Sequence, residues 1–504
     1  METRRPELIK GNGYESRDGP MIVVSNRAPI EYYLDGEGSL RRRLTAGGVS
    51  AALTSISNYM PVTWVASASS AADRLVAADN RPLALGENGS LRLVAAPADA
   101  YDLFYNSFCN PLLWFVQHSL YHSLPGREAV QETLRAWEHG YLPVNQAIAE
   151  AVATELQAYG GRGWVMLHDY HLYAAPLFIR NLCPEAVLQH FVHVPWPCLD
   201  AWQHVPRPIV DSIVEGLLAN DSVVFQTEGS AQEFLLTCWA LFPRAKVDFN
   251  NGSVVYRGHH TRVWANPMSV DVFELRSRLS SPEARPYFER LEREAAERTI
   301  VRVDRLDPSK NILAGLQAFD LLLRNHPEWS GRVTFLSFLI PSRTKIAEYK
   351  KYAERVFSTV RDINARHGRA DWTPIKVFYE HNRLQSLVAL TLYDVLIVNS
   401  VADGMNLVSK EGPVLNRRDG SMLLSVTAGS YQELRDGALA VSPDNVAGTA
   451  DALHRALTMS PEERHERATL LRRAVLRHDF SRWLQLQMED LTAIESTKPA
   501  PAAA

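Results

Sequence analysis

The chain has 504 residues, of which 46% are hydrophobic and 22% charged, and its formal net charge at pH 7 is -4. This length exceeds one ordinary core and predicts two to four compact units of a globular protein. The negative balance argues against a general nucleic-acid binder, and the longest apolar runs, such as 387–390, are interrupted too soon to span a membrane.

The two ends of the chain predict disorder at 1–20 and at 496–504, because they are rich in polar or small residues. Residues 1–20 contain no apolar signal core. The four cysteines show no CxxC or other ligand spacing, so we interpret them as reduced packing thiols. Together these features predict a cytoplasmic protein. They do not determine the oligomeric state, and a homo-oligomer is one possibility.

Between these ends, short runs rich in β-branched residues alternate with helical patterns. Runs that are apolar on both faces predict parallel strands covered by helices, which is the α/β class. The predicted strands occupy 21–26, 62–67, 164–169, 188–194, 222–227, 299–305, 332–340, 375–380, 395–400 and 421–426. These are too many for one doubly wound sheet, and a proline-containing turn within 263–275 separates two series. We therefore predict two Rossmann-like domains, at 21–265 and 266–475.

Polar groups close several strands of the first half, at the carboxyl ends where such sheets bind ligands. The first strand leads into Arg27, and Gly47-Gly48 then opens a helical pattern whose backbone N–H groups could approach an anion. Later strands end in HDYH at 168–171 and in His193. The spacing of these histidines and Asp169 does not fit a zinc site. We predict no metal and interpret the residues as hydrogen-bonding groups for a polyhydroxylated ligand.

Basic residues follow two strands of the second half. Arg305 closes one strand, Lys310 follows in the next turn, and Arg343 comes after the strand at 332–340. A buried guanidinium is costly unless an anion pairs with it, and each charge-assisted hydrogen bond is worth about 1.5–3 kcal/mol. Together with Arg27, these residues predict a diphosphate and a second phosphorylated ligand.

The segment NSVADGMNLVSKEG, at 399–412, follows an apolar strand and contains two carboxylates. Asp403 is placed to accept hydrogen bonds from sugar hydroxyls. The residues 404–407 are predicted to start a helix whose free N–H groups face an anion. Glu411, about two helical turns further on, would reach the diol of a ribose. Combined with the basic residues, this pattern predicts a nucleotide-sugar ligand.

Several of these motifs resemble those of the trehalose-6-phosphate synthase family, which is glycosyltransferase family 20. The similar motifs are HDYHL, HVPWP, FQTE, RLDPSK and DGMNLVSKE, in the same order over about 21–491. The resemblance implies the GT-B fold, in which two Rossmann-like domains face a cleft, and a helix at 476–495 that crosses back to the first domain. It also implies an enzyme that transfers glucose from a nucleotide diphosphate glucose to glucose 6-phosphate with retention of anomeric configuration.

The resemblance further implies a role for each matching residue. The residues nearest the reacting centre would be Asp169, His193, Arg305 and Lys310. The donor-binding residues would be Gly48, His193, Arg305, Lys310, Asp403, Gly404, Met405, Asn406, Leu407, Val408 and Glu411. The acceptor-binding residues would be Arg27, Tyr105, Trp114, Asp169 and Arg343. The leaving phosphate would itself accept the proton of the acceptor, so catalysis would rest on positioning and charge stabilisation without a protein nucleophile or a metal cofactor.

Some residues depart from the pattern of the family. Trp196, Pro308 and Asn311 stand where Phe, Tyr and Gly are frequent, and they leave the donor base open among uridine, guanosine and adenosine. Three other functions also stay open: a synthase that uses glycerol 3-phosphate, a pseudo-glycosyltransferase that joins a cyclitol to an amino-cyclitol phosphate, and a sugar-phosphate sensor without activity. The intact motifs favour glucosyl transfer to glucose 6-phosphate.

Overall fold

A computed structural model describes residues 20–44, 53–79, 81–85, 89–124 and 129–498. Gly48 lies outside these residues, and so do 1–19 and 499–504, on which the predictions of disorder largely fall. The chain divides into two compact units. The N-terminal unit contains the described residues up to Pro267 and those from Ser481 onward, and the C-terminal unit contains Met268–Phe480.

A ten-stranded sheet and a separate hairpin form the N-terminal unit. The strands are β1 (Met21–Ser25), β2 (Ile30–Leu34), β3 (Leu40–Leu44), β4 (Val62–Ser67), β5 (Leu83–Leu85), β6 (Gly89–Val94), β7 (Trp164–His168), β8 (Val187–Val192), β9 (Ser222–Phe225), β10 (Lys246–Asp248), β11 (Ser253–Tyr256) and β12 (His259–Ala265). Their order in the sheet is β10-β11-β12-β9-β8-β7-β1-β4-β6-β5, and β2 pairs with β3. The strands from β12 to β6 run parallel, whereas β5, β10 and β11 add antiparallel edges.

The C-terminal unit is an all-parallel sheet of six strands. They are β13 (Arg298–Arg305), β14 (Val333–Ile340), β15 (Ile375–Tyr379), β16 (Val395–Val398), β17 (Ser421–Ser425) and β18 (Leu439–Val441). The order β15-β14-β13-β16-β17-β18 is that of a doubly wound nucleotide-binding sheet. From β13 the chain adds β14 and β15 on one side of the sheet, and it then adds β16, β17 and β18 on the other side. The loops after β13 and β16, where the strand order switches, therefore form the expected ligand-binding edge.

Helices connect the strands of both units. They are α1 (Ala71–Ala77), α2 (Ala98–Asp102), α3 (Trp114–Gln117), α4 (Val130–Ala136), α5 (Leu142–Gln157), α6 (Ala175–Leu182), α7 (Arg207–Leu217), α8 (Glu228–Leu241), α9 (Val272–Leu279), α10 (Arg285–Glu294), α11 (Ile312–Asn325), α12 (Ala347–His367), α13 (Arg383–Ala389), α14 (Val408–Leu415), α15 (Tyr431–Leu434), α16 (Val446–Thr458), α17 (Pro461–Arg477) and α18 (Phe480–Thr497). Leu103–Leu113 and Trp137–Tyr141 form wider π-helical turns. Among the described residues, no helix combines the length and the hydrophobicity that a membrane-spanning segment requires.

Each strand predicted from the sequence is present. The residues of β1, β7, β8 and β9 are all buried, which explains why these strands consist mostly of apolar residues. The predicted α/β class and the two Rossmann-like domains are therefore confirmed. The strands that were not predicted are β18, the hairpin of β2 and β3, and β5, β6, β10, β11 and β12.

Candidate active site

The loops that follow β13 and β16 carry Lys310 and Asp403 to the ligand-binding edge of the C-terminal sheet. Lys310 Nζ forms an ion pair with Asp403 Oδ2, and both side chains are largely buried. The same oxygen accepts hydrogen bonds from Ser400 Oγ (3.2 Å) and Asn406 Nδ2 (3.0 Å). The structure thus brings together three of the predicted donor-binding residues. Arg305, a fourth, is the half-buried last residue of β13.

The fully buried Arg302 connects these two loops through hydrogen bonds. Its guanidinium donates to Asp304 Oδ2 (2.8 Å), to the carbonyl of Lys310 (3.0 Å) and to Asn399 Oδ1. Burial raises the pKa of Asp304, and the charges of Arg302 and Lys310 oppose that effect. Arg302 was not identified from the sequence. The available signal was a charged residue between the apolar residues Val301 and Val303.

The residues 404–407 form a buried loop, so the prediction that they start a helix was wrong. The helix α14 begins at Val408. Asn406 has a φ of 74°, which an α-helix does not allow. Its Oδ1 accepts a hydrogen bond from Ser409 N (3.1 Å), which satisfies one N–H group of the first helical turn. The predicted donor-binding residues Gly404, Met405 and Leu407 lie in this loop.

Glu411, in α14, is buried against Arg383 of α13. Arg383 Nη1 donates to Oε2 (3.0 Å) and Nη2 donates to Oε1, so the contact is bidentate and fixes the plane of the carboxylate. The neighbouring Lys410 is also buried and pairs with Glu433 (2.5 Å). Burial lowers the pKa of Lys410, and the charge of Glu433 opposes that effect. Arg383 and Glu433 were missed because their partners are distant in sequence.

Arg343 follows β14 and forms a buried ion pair with Asp307. The nitrogen Nη1 donates to Asp307 Oδ2 and to Tyr349 OH, both at 2.5 Å. The Arg343 side chain is 4% exposed and that of Asp307 is 0% exposed. The backbone of Arg343 has a φ of 47°, a left-handed conformation that is uncommon for residues other than glycine. The structure therefore holds this predicted phosphate-binding arginine rigidly in place.

In the N-terminal unit, Arg27 and Asp169 follow the adjacent parallel strands β1 and β7. Arg27 is exposed. Asp169 has a φ of 73°, and its Oδ1 accepts hydrogen bonds from the backbone N–H groups of His193 (3.2 Å) and Val194 (3.3 Å). Two predicted site residues, Asp169 and His193, are thus in direct contact. The contact joins the loops after β7 and β8.

Three buried histidines lie at this edge of the sheet. His168 Nδ1 and His193 Nε2 are 3.0 Å apart, and Gln226 Nε2 lies 3.2 Å from His193 Nδ1. Burial, with a smaller effect of His190, lowers the pKa of His193 to about 3. Burial likewise lowers the pKa of His190 to about 4 and that of His168 well below its usual value. At neutral pH these imidazoles are uncharged hydrogen-bonding groups. Gln226 was not identified from the sequence.

The predicted acceptor aromatics Tyr105 and Trp114 lie in consecutive helical segments. Tyr105 stacks on Tyr101 at 5.9 Å between ring centroids and on His171 at 6.1 Å. Trp114 stacks on His118 at 3.8 Å and is buried, with 5% of its surface exposed. Tyr105 is the more accessible of the two.

Within the described residues, one group of three side chains could provide metal ligands: His326, Glu328 and His454 of the C-terminal unit. The two imidazoles stack with their centroids 3.6 Å apart, so their lone pairs do not converge on one point. Trp329 Nε1 donates to His454 Nδ1 (3.3 Å), which occupies the lone pair of that nitrogen. This geometry disfavours a metal, and no predicted site residue belongs to the group.

Comparisons with known proteins find similarity over nearly the whole chain. The model of glycosyltransferase family 20 matches residues 19–493. Alpha,alpha-trehalose-phosphate synthase (UDP-forming) of Schizosaccharomyces pombe is 31% identical over 493 residues, which cover 96% of this chain and 92% of that protein. The protein of the same name from Pichia angusta is 30% identical, covering 97% and 100%. The crystal structure of an alpha,alpha-trehalose-phosphate synthase (UDP-forming) from Burkholderia xenovorans in complex with glucose-6-phosphate has a TM-score of 0.80 and 25% identity, covering 94% and 100%.

We expect the thermal stability of the protein to fall as the pH drops from 7 to 5. His190 and His193 stay neutral when folded, whereas in the unfolded chain they would titrate near pH 6.5. Below that pH the unfolded state binds the additional protons, so each imidazole lowers the free energy of unfolding by about 1.4 kcal/mol per pH unit. Calorimetric melting temperatures at pH 7, 6 and 5 measure the slope.

The matched variants are His193→Gln and His260→Gln, the latter at an exposed site of β12. The first should flatten the dependence of melting temperature on pH, and the second should leave it unchanged. A melting temperature that is constant or higher at pH 5 in the unmodified protein would contradict the assignment.

Proposed function

The chain belongs to glycosyltransferase family 20, and we propose that it transfers glucose from a nucleotide diphosphate glucose to glucose 6-phosphate, with retention, to form α,α-trehalose 6-phosphate. The relatives that it matches along almost their full length are named UDP-forming, so we propose uridine as the donor base. The observation that carries the proposal is the Lys310 and Asp403 pair. It places a cation suited to a diphosphate beside a carboxylate suited to sugar hydroxyls, at the ligand-binding edge of a doubly wound sheet.

The donor would be held by the loops after β13 and β16. Arg305 and Lys310 would bind the diphosphate, and Asp403 would accept hydrogen bonds from hydroxyls of the glucose. Glu411, which Arg383 holds in a fixed plane, would bind the ribose diol. The loop at 404–407 and Val408 would add backbone N–H donors, and Gly48 would be a further donor-binding residue.

The acceptor would be bound by a second set of the residues predicted from the sequence. Arg343 and Arg27 would contact its phosphate, and Tyr105 and Trp114 would line the sugar. Asp169 would bind acceptor hydroxyls. Its orientation is fixed by two backbone N–H groups, which supports a binding role that requires a precisely placed carboxylate.

His193 would contact the donor sugar near the reacting carbon. Burial keeps its imidazole neutral, and its two ring nitrogens lie within hydrogen-bonding distance of His168 and Gln226, so it would contact the sugar as a fixed neutral ring rather than as an acid. The leaving phosphate would accept the proton of the attacking hydroxyl, and Arg305 and Lys310 would stabilise the negative charge that develops on the diphosphate.

Incubation with glucose 6-phosphate and uridine diphosphate glucose should release uridine diphosphate and yield an α,α-linked disaccharide phosphate. Coupled measurement of nucleotide release, with mass and NMR analysis of the product, tests this. Guanosine and adenosine donors, and glycerol 3-phosphate as acceptor, are the comparison arms. Release that requires glycerol 3-phosphate, or no release although both ligands bind, would contradict the proposal.

We expect turnover to be unchanged after exhaustive treatment with EDTA. Two cationic side chains, Arg305 and Lys310, would supply the charge that a divalent ion supplies in other phosphoryl sites. Initial rates with and without added Mg²⁺ or Mn²⁺ give the measurement. A loss of activity that these ions restore would overturn this part of the proposal.

Replacing Arg305 by Ala should lower kcat by about 100-fold or more, because it removes a group that stabilises the leaving diphosphate. Steady-state kinetics and the melting temperature should be measured together. The matched control is Arg298→Ala at the opposite end of β13, where Arg298 pairs with Asp394 (3.0 Å). That variant should lose stability but keep its kcat. An Arg305 variant that is unstable yet fully active per folded molecule would refute the assigned role.

A further inference from the structure

The carboxylate of Asp307 makes different contacts through its two oxygens. Oδ1 accepts hydrogen bonds from Ser309 N (3.0 Å) and Ser309 Oγ (2.9 Å), and the Asp307 carbonyl accepts one from Lys310 N (3.0 Å). Oδ2 accepts hydrogen bonds from Arg343 Nη1 (2.5 Å) and Tyr349 OH (3.2 Å). One side of the residue therefore shapes the turn that leads to Lys310, and the other side binds Arg343.

This ion pair is buried, and burial alone does not make it stabilising. Removing two charges from water costs about as much as their attraction returns, so apolar side chains of similar volume would often serve stability equally well. The ion pair does fix the orientation of the Arg343 side chain. Arg343 Nη1 is held by two oxygens, those of Asp307 and Tyr349, which fixes the direction of a long side chain that would otherwise sample many rotamers.

The backbone of Arg343 points to the same conclusion. A φ of 47° at a residue other than glycine costs free energy and persists only where surrounding contacts enforce it. The enforcing contacts are the hydrogen bond from Ile346 N to the Arg343 carbonyl (3.0 Å) and the side-chain pair with Asp307. Strain held in this way is typical of a residue whose position matters for ligand binding.

We propose that Asp307 and Tyr349 are positioning residues that aim Arg343 at the phosphate of the acceptor, and that Asp307 thereby links the acceptor-phosphate arginine to the donor-diphosphate turn. The inference rests on the proposed function. Because one carboxylate supports both sites, binding of either ligand stabilises the geometry that the other requires, and the effect is reciprocal. Neither Asp307 nor Tyr349 needs to touch a substrate for this.

The variant Asp307→Asn weakens the contact with Arg343 and keeps the contact with Ser309. The Asn side chain keeps a carbonyl oxygen for Ser309 and places an uncharged NH₂ group opposite the guanidinium. We expect KM for glucose 6-phosphate to rise by about 10- to 100-fold, as for a lost charge-assisted hydrogen bond. The rate of transfer to unphosphorylated glucose, measured at high glucose concentration, should change little, so the preference for the phosphorylated acceptor should fall by the same factor.

Tyr349→Phe is the milder second variant, and it removes only a hydroxyl. Its KM for glucose 6-phosphate should rise by about 3- to 10-fold. The control is Asp320→Asn in α11, a buried carboxylate that pairs with Arg324 (2.6 Å) and Arg366 (2.5 Å). The control should lower the melting temperature and leave the phosphate preference unchanged.

Titration calorimetry of uridine diphosphate, with and without glucose 6-phosphate, measures the link between the sites. In the unmodified protein each ligand should tighten the other, and in Asp307→Asn this mutual effect should be lost. Unchanged phosphate preference in both variants, or equal losses with glucose and glucose 6-phosphate, would overturn the positioning role while the proposed function stands. An unmodified protein that does not transfer glucose to glucose 6-phosphate would overturn the proposed function, and the inference with it.

Discussion

The buried guanidinium of Arg302 is the constraint on which the donor-binding half of the site depends. A guanidinium without access to water must satisfy its donors within the protein. Arg302 does so with groups from two loops, the Lys310 carbonyl after β13 and the Asn399 side chain after β16. Gly315 leaves the necessary space, since a Cβ there would lie 2.4 Å from Arg302 Nη1. The pair formed by Lys310 and Asp403 therefore rests on loops that are fixed relative to each other.

Positive φ angles recur at the proposed site, at Asp169, Asn311, Arg343 and Asn406. Asparagine tolerates the left-handed helical conformation of Asn311 better than most side chains, whereas the φ of 73° and ψ of 172° at Asp169 lie in a region essentially confined to glycine. At Asn311, where the family frequently has glycine, the amide also donates to the Asn399 carbonyl (3.1 Å). The departure from glycine thus preserves the turn and adds a tether to the loop after β16. Local strain is balanced by contacts that only the folded chain provides.

The sequence predicted the buried parts of the fold better than the exposed ones. Parallel strands such as β16 are apolar on both faces and stand out, whereas β2 and β3 form an exposed hairpin that contains the basic run at 41–43. The turn signal DGEG at 35–38 was present, and Gly38 indeed has a φ of 78°. Within the site, positions at strand ends could be predicted because topology places them there. Their partners could not, because pairing of Arg343 with Asp307 or of Glu411 with Arg383 depends on tertiary packing.

This pairing changes how the charges of the site act. The sequence predicts that Lys310 and Arg343 are unpaired cations until a phosphate binds. In the structure each of them forms an ion pair with a largely buried carboxylate. A phosphate that approaches either cation also approaches a negative charge, so net attraction in the ground state is smaller than for a bare cation. At Arg343 we expect the fixed orientation that Asp307 provides to outweigh this loss. In return the cations need no reorientation when a ligand binds, which removes an entropic cost. Such an arrangement stabilises the transition state, in which negative charge develops on the leaving diphosphate, because fixed donors act most strongly where new charge appears.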